Sequence, residues 1–167
     1  MKTIPHKQKA QIQGSALEYV MSGSGAPPII LVNGSSGPVE GWYRVYAELE
    51  TFSTVFAYNR PSIGGSDRPN HPQRGDVIVT TLRELFAAVG LNLPYLLVGH
   101  SLGGLYVNLY ARRFPHKVAG VIFLDAAAPG DEVLQDNYQT PLQYILNKIS
   151  GLFKPAKNTH AEVQFAN

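Results

Sequence analysis

The chain has 167 residues, of which 44% are hydrophobic and 16% are charged, and its formal net charge is +2. This length and composition are typical of one globular domain that buries about 70% of its unfolded surface. The basic residues form no stripe with interleaved aromatic residues, so we expect no nucleic-acid partner. Because the chain has no cysteine, disulfide bonds and thiolate chemistry are excluded.

The N-terminal stretch is interpreted as a tail. Lys2, Lys7 and Lys9 make residues 1–9 mildly basic, which favours a solvated segment. The stretch lacks the apolar region of a signal peptide, and no apolar run approaches the roughly 18 residues that a bilayer-spanning helix needs. We therefore expect a cytoplasmic protein with no membrane partner.

Strands and helices are predicted to alternate along the first half of the chain. A β-hairpin around a Gly-Ser turn is predicted for QIQGSALEYVMSG. A buried strand follows in PPIILVNG, and the next stretch, SSGPVEGWYRVYAELE, indicates a loop and then a helix. A second buried strand is predicted for STVFAYNR, closed by a turn-rich segment.

The same alternation continues in the second half. A helix is predicted for GDVIVTTLRELFAAVG, with Gly90 as its C-terminal stop and with one apolar face made of Val77, Thr81, Leu82, Leu85 and Val89. A third strand (PYLLVG), a helix stopped by Pro115 and a fourth strand (VAGVIFLD) follow.

The predicted strands are apolar throughout, which indicates a mostly parallel sheet covered by helices on both faces, preceded by the N-terminal β-hairpin. Sheets of this class carry their chemistry at the carboxyl ends of the strands. The residues of interest at those ends are 33–36, 60–66, Ser101 and Asp125.

A serine ringed by glycines follows the third strand. Residues 99–103 (GHSLG) fit the pattern G-x-S-x-G, and they lie between a strand and a helix, where a nucleophile elbow must be. Such a turn forces Ser101 into a strained backbone conformation, so the flanking Gly99 and Gly103 are needed for space. The N–H of Leu102 would start the helix and point toward a developing oxyanion.

From about residue 10 to 130 the chain resembles the α/β-hydrolase superfamily. The elbow carries this resemblance, which implies that Ser101 is the nucleophile. The stretch LVNGSSG is similar to the family's oxyanion loop, so Ser35 is implied as a backbone donor beside Leu102. Asn33 stands where the family usually has histidine, which we expect to change the packing of the loop and not the donor.

A third motif, YNRPSIGGSDRP, resembles the family's Asp-Arg-Pro-Gly-x-Gly-x-Ser loop. Asn59 and Ser62 depart from that pattern, and we expect these changes to bear mainly on the form of the pocket. A serine at position 101, and not an aspartate, argues against the dehalogenase and epoxide-hydrolase branches.

The chain is predicted to contain an incomplete α/β-hydrolase fold: a tail at 1–9, the N-terminal part of the core at 10–130, and a cap-like helical segment and tail at 131–167. The last segment has an apolar stripe made of Leu142, Ile145, Leu146 and Ile149. This stripe fits the start of a cap and simple cover for the sheet equally well.

The general base is not evident among the five histidines, which are His6, His71, His100, His116 and His160. We expect His100 to pack or bond locally, and His160 is in a polar tail. Asp125 ends the fourth strand, where some family members carry the triad acid, although an aspartate there more often bonds loop backbone. We therefore expect the catalytic histidine to be missing and the isolated chain to be impaired, since losing that residue in proteases costs about a millionfold in kcat.

Two functions remain open. The first is a serine hydrolase that attacks a small ester-like or amide-like carbonyl and forms an acyl-enzyme at Ser101. The second is a non-catalytic, truncated hydrolase-like domain that binds a small molecule or pairs, with another copy or a complementing chain, through the open sheet edge VAGVIFL. No cofactor or metal is predicted, because there is no Walker lysine and no cluster of ligands at metal-binding spacing.

Overall fold

One six-stranded sheet organises the part of the chain that the computed structural model describes, residues 4–127. Its strands are β1 (Gln8–Ile12), β2 (Ser15–Ser22), β3 (Ile29–Val32), β4 (Val55–Tyr58), β5 (Tyr95–His100) and β6 (Val118–Leu124). The helices are α1 (Tyr43–Leu49), α2 (Gly75–Ala88) and α3 (Gly103–Arg113), with short 3-10 helices at Val39–Trp42 and Pro115–Lys117. Within residues 4–127 no helix is long and apolar enough to cross a membrane.

The strand order is β1-β2-β4-β3-β5-β6. The four strands from β3 to β6 are parallel, whereas β1 and β2 form an antiparallel hairpin whose second strand pairs antiparallel with β4. The predicted mostly parallel sheet and N-terminal hairpin are confirmed. Because the four parallel strands point the same way, the loops that follow them meet at the carboxyl-terminal ends of the strands.

Helices cover both faces of this sheet, as predicted. In β3, Ile30 and Val32 belong to the core that packs against α2 and α3. The alternate residues Ile29 and Leu31 belong to the core that Trp42 and α1 complete on the other face. Alternate side chains of a strand point to opposite faces, so covering both faces requires strands that are apolar at every position.

The buried face of α2 differs from the prediction. Leu82 and Leu85 are buried as expected, but Val77, Thr81 and Val89 are only half-buried. The helix instead buries Ile78, Val79 and Phe86. The reason is tertiary: α2 contacts α3 as well as the sheet, and Phe86 packs against aromatic rings of β4, β5 and α3.

The N-terminal boundary also differs from the prediction. Strand β1 begins at Gln8, two residues before the expected start of the core at residue 10. Lys7 is not a solvated tail residue, because its ammonium lies 3.3 Å from a carboxylate oxygen of Glu18 and also pairs with Glu40. The cap-like segment expected at 131–167 lies outside the described residues.

The aromatic centre of the core gives a direct test of this packing. Phe56 is 0% exposed and its ring lies 5.6 Å from the rings of Tyr19 and Phe86. We expect Phe56→Ala to lower the free energy of unfolding by about 3–5 kcal/mol, because it removes a large buried side chain and leaves a cavity. Phe52 is 63% exposed, so Phe52→Ala is the matched control and should cost within about 0.5 kcal/mol. Urea denaturation measures both, and equal losses would contradict the assignment of Phe56 to the core.

Candidate active site

Ser101 lies at the carboxyl-terminal end of the parallel strands, in the turn between β5 and α3. Its φ of +52° is in the left-handed region, so the strained backbone predicted for the elbow is confirmed. The turn is held from β6, since the Ser101 N–H donates to the Leu124 carbonyl at 3.2 Å and the Ser101 carbonyl accepts from the Ala127 N–H at 3.0 Å. The residue is half-buried, which leaves part of its side chain accessible.

Glycines around the turn let α3 begin against the ends of two strands. A Cβ at Gly99 would lie 2.6 Å from Cγ2 of Val107 and 2.7 Å from the Cα of Gly104. A Cβ at Gly103 would overlap the carbonyl oxygen of Val32. Any larger residue would push the start of α3, and with it Ser101, away from the sheet.

The loop after β3 passes directly over the Ser101 side chain. A Cβ at Gly34 would lie 3.2 Å from the Ser101 hydroxyl oxygen, so the backbone at Gly34 and Ser35 borders the space beside that hydroxyl. Among the described residues, the backbone N–H groups of Ser35 and Leu102 donate no recorded hydrogen bond. The structure thus brings Ser101, Leu102 and the Ser35 loop together.

Asn33 closes this loop. Its side-chain amide donates to the Pro38 carbonyl at 2.6 Å, and the residue is buried. A Cβ at Gly37 would lie 3.1 Å from the Asn33 side chain, so the loop folds tightly around the amide. The substitution of asparagine for the family histidine therefore acts on loop packing, as expected.

A buried arginine, for which the sequence predicted no role, donates hydrogen bonds to the loop after β3. Arg60 is only 5% exposed, and its Nη2 donates to the carbonyls of Gly34 and Ser35, each at 2.5 Å. Its Nη1 lies 3.3 Å from the hydroxyl of Tyr106 on α3, and its guanidinium lies 5.3 Å from that ring's centroid. The sequence offers no signal for this role, because a loop arginine is exposed in most proteins.

Asn59 anchors the loop after β4 from inside the protein. Its side-chain amide donates to a Glu18 carboxylate oxygen at 2.5 Å, and its side-chain carbonyl accepts from the Val39 N–H at 2.8 Å. Asn59 is fully buried, so the expectation that its departure from the family aspartate changes the form of the pocket is wrong. An aspartate at position 59 would instead place two carboxylates in contact.

Glu18 is the acceptor on which this anchor converges. Burial tends to raise the pKa of its carboxyl, but bonds from the Gly65 N–H, the Asn59 amide and Lys7 outweigh burial and lower the pKa below 4.5. A Cβ at Gly64 or Gly65 would overlap the Asn59 amide or the Glu18 carboxylate, so both glycines are needed for this approach.

Ser62, the second departure from the family loop, occupies the position of a family glycine. Its φ is +68°, which glycine adopts without strain and which costs another residue about 1–2 kcal/mol. Its N–H donates to the Asp67 carbonyl at 2.9 Å, which holds the turn. The change therefore strains the backbone of the loop, and its expected effect on the form of the pocket stays a prediction.

No histidine within residues 4–127 bonds to the Ser101 hydroxyl. His100 is exposed and packs edge-on against Trp42 at 6.3 Å, in line with the expected local contact. His116 precedes β6 and thus lies at the amino-terminal ends of the parallel strands, away from Ser101. His6 lies in the segment before β1, and His71 lies in the segment before α2. His160 lies outside the described residues.

Asp125 follows β6 at the same edge as Ser101. It is exposed, with a φ of +44°, and no hydrogen bond of its carboxylate is recorded within residues 4–127. Its assignment as triad acid stays a prediction. No group of three histidine, aspartate or glutamate side chains in this part of the chain could hold a metal ion.

Comparison with known proteins agrees with this architecture. A family model described as the alpha/beta hydrolase fold matches residues 27–166. The chain belongs to the α/β-hydrolase fold family.

Several curated proteins and solved structures are similar to parts of this chain. The rice (Oryza sativa subsp. indica) probable esterase PIR7A is 34% identical over 111 residues, which cover 63% of this chain and 41% of that protein. The (lyso)-N-acylphosphatidylethanolamine lipase of Bos taurus is 29% identical over 102 residues, covering 59% and 30%. The crystal structure of a membrane phospholipase A superimposes with a TM-score of 0.69 at 25% identity, covering 74% and 40%. The chain thus spans less than half the length of these relatives.

The contact between Asn59 and Glu18 predicts the effect of restoring the family aspartate. We expect Asn59→Asp to lower the free energy of unfolding at pH 7 by about 3 kcal/mol, because two ionised carboxylates would meet at a buried site. Like charges raise the pKa of the pair, so the loss grows as pH rises through that raised pKa. In the wild type the pKa of Glu18 is lowered by folding. Its contribution to the free energy of unfolding is therefore complete above the ordinary pKa of a glutamate and is lost as pH falls through the lowered pKa.

The unfolding free energies of the two proteins should therefore converge in acid. Urea denaturation over the range from about pH 4 to 8 measures this convergence. Asn92→Asp, at an exposed position, is the matched control and should follow the wild type. Parallel curves for Asn59→Asp and wild type would contradict the carboxylate contact.

Proposed function

We propose that this chain carries the nucleophile and oxyanion hole of a serine hydrolase that acts on an ester-like or amide-like carbonyl. The observation that carries the proposal is the left-handed, half-buried Ser101 beside Gly34, with the N–H groups of Ser35 and Leu102 unbonded within the described residues. Backbone N–H groups held beside a nucleophile are what an acyl-transfer transition state requires.

In the proposed reaction, the Ser101 hydroxyl oxygen attacks the carbonyl carbon and its proton passes to a general base. The carbonyl oxygen becomes an oxyanion, which accepts hydrogen bonds from the Ser35 and Leu102 N–H groups. Collapse of this intermediate expels the alcohol or amine, which takes up the proton and leaves an acyl-Ser101. Water then attacks the acyl group by the same path and releases the acid.

None of the histidines of residues 4–127 bonds to Ser101, so we propose that the base comes from elsewhere. His160 of this chain or a residue of a complementing chain would serve. Without a base, only the oxyanion hole and binding contribute, which in proteases leaves roughly 10³–10⁴ over water. The names of the rice and bovine relatives, an esterase and a lipase, favour an ester as the substrate.

A fluorophosphonate probe tests the nucleophile. With the general base in place, from His160 or from a complementing chain, we expect covalent labelling at Ser101, located by peptide mass spectrometry, because the probe's phosphoryl oxygen mimics the oxyanion. Ser101→Ala should remove the labelling. Labelling of wild type no greater than that of Ser101→Ala would remove active-serine chemistry from this chain.

Two substitutions at Ser35 separate its backbone from its side chain. Ser35→Ala keeps the N–H and should leave the labelling rate unchanged within about twofold, whereas Ser35→Pro removes the N–H and should slow labelling by about 10²–10³. Equal rates for the two variants would contradict the Ser35 N–H as an oxyanion donor.

A second candidate function is supported by β6. This strand is at the edge of the sheet within the described residues, and Ile122, Phe123 and Leu124 are exposed on it. An apolar strand with an unpaired edge favours addition of another strand. We propose that a second copy of this chain, or a complementing chain, pairs there.

Phe123, which is 52% exposed, is the position at which this pairing can be tested. We expect the wild type to sediment as a concentration-dependent dimer and Phe123→Lys to sediment as a monomer, because a charge on an edge strand opposes strand addition. Phe52→Lys, at the exposed phenylalanine after α1, is the control and should leave association unchanged. A wild-type chain that stays monomeric at high concentration would contradict self-pairing through β6.

A further inference from the structure

The guanidinium of Arg60 connects the two halves of the proposed oxyanion hole. One donor, the Ser35 N–H, belongs to the loop after β3, and the other, the Leu102 N–H, belongs to the start of α3. Arg60 donates to both carbonyls of the first half, Gly34 and Ser35, and lies against Tyr106 on the helix of the second half. We propose that Arg60 is a positioning residue that orients and polarises the Ser35 N–H, an inference that rests on the proposed function.

Orientation follows from the planarity of the peptide bond. In a trans peptide the carbonyl of residue 34 and the N–H of residue 35 point in opposite directions. The bond from Arg60 to the Gly34 carbonyl therefore turns the Ser35 N–H away from the guanidinium. The second bond, to the Ser35 carbonyl, prevents the loop from rotating about the first.

Polarisation follows from the positive charge. A charge-assisted bond to the Gly34 carbonyl draws electron density toward its oxygen and makes the N–H of the same peptide unit, that of Ser35, a stronger donor. Burial of Arg60 keeps water from screening this effect. The arginine would then stabilise a negative transition state that it never touches.

The contact with Tyr106 relates the loop to the nucleophile. Tyr106 is fully buried on α3, the helix that begins directly after Leu102. Its hydroxyl and ring both meet the guanidinium, so a shift of the helix start relative to the loop would break these contacts. A lysine could keep the charge, but its single ammonium lacks the planar fork that spans two carbonyls and a hydroxyl.

Arg60→Lys in the full chain is the test, with fluorophosphonate labelling of Ser101 as the first readout. We expect the maximal labelling rate constant to fall at least about tenfold, but by less than the roughly 10²–10³-fold expected for outright loss of one donor. The probe concentration that gives the half-maximal rate should stay within about twofold of the wild-type value. The split arises because the oxyanion contacts strengthen only as charge develops. Arg83→Lys, whose guanidinium lies over the Phe114 ring, is the matched control and should keep the wild-type rate.

Amide hydrogen exchange of residues 34–36 is the second readout, and it does not depend on catalysis. We expect faster exchange there in Arg60→Lys and unchanged exchange in Arg83→Lys. Should Arg60→Lys fail to fold, as judged by circular dichroism, Tyr106→Phe takes its place and should show the same two effects to a smaller extent.

The outcomes separate the two proposals. Wild-type labelling with an unchanged rate in a folded Arg60→Lys variant overturns the role of Arg60 and leaves the proposed function standing. Absent labelling of the wild type overturns the proposed function, and the exchange of residues 34–36 then still decides whether Arg60 holds the loop. Unchanged exchange in Arg60→Lys overturns that positioning in either case.

Discussion

The close approach of α3 to the ends of β3 and β5 is the constraint on which the rest of this structure depends. Helix and strands come so near that positions 99 and 103 have no room for a Cβ atom. The turn between them must therefore be abrupt, and Ser101 takes a left-handed conformation that costs about 1–2 kcal/mol. Backbone hydrogen bonds to the last residue of β6 and to the segment after it hold the strained residue. The position of the hydroxyl is thus a consequence of packing.

Two buried polar groups extend this order to the neighbouring loops. Loop backbone that runs inside a protein must find hydrogen-bond partners, because an unsatisfied buried group costs about 1–3 kcal/mol. Arg60 satisfies carbonyls of the loop over Ser101, and Asn59 joins the loop after β4 to Glu18 and to Val39. The charge of Glu18 is in turn compensated by Lys7 from the segment before β1. The loops at this edge therefore rest on partners that come from distant parts of the chain.

The elements could be predicted from the sequence because their signals are local. Apolar runs separated by turn residues identified the hairpin, the buried strands and the three helices, and the glycines around Ser101 identified the elbow. The prediction of which residues of α2 are buried was wrong in part, because Phe86 packs into an aromatic cluster formed by several elements. The roles of Asn59 and Arg60 could not be predicted, since each depends on a partner between 25 and 46 residues away.

The sequence by itself determined the order of elements, the parallel sheet covered on both faces, and the sharp turn at Ser101. These follow from periodicity and from the steric freedom of glycine, which act over a few residues. Only the tertiary structure decided which polar side chains are buried and which partners they bind. Arg60 binds the loop that contains Ser35, the Asn59 amide binds Glu18, and Lys7 pairs with the same Glu18 carboxylate. Burial of a polar side chain depends on which distant surfaces exclude water around it and supply its partner, so no local pattern encodes it.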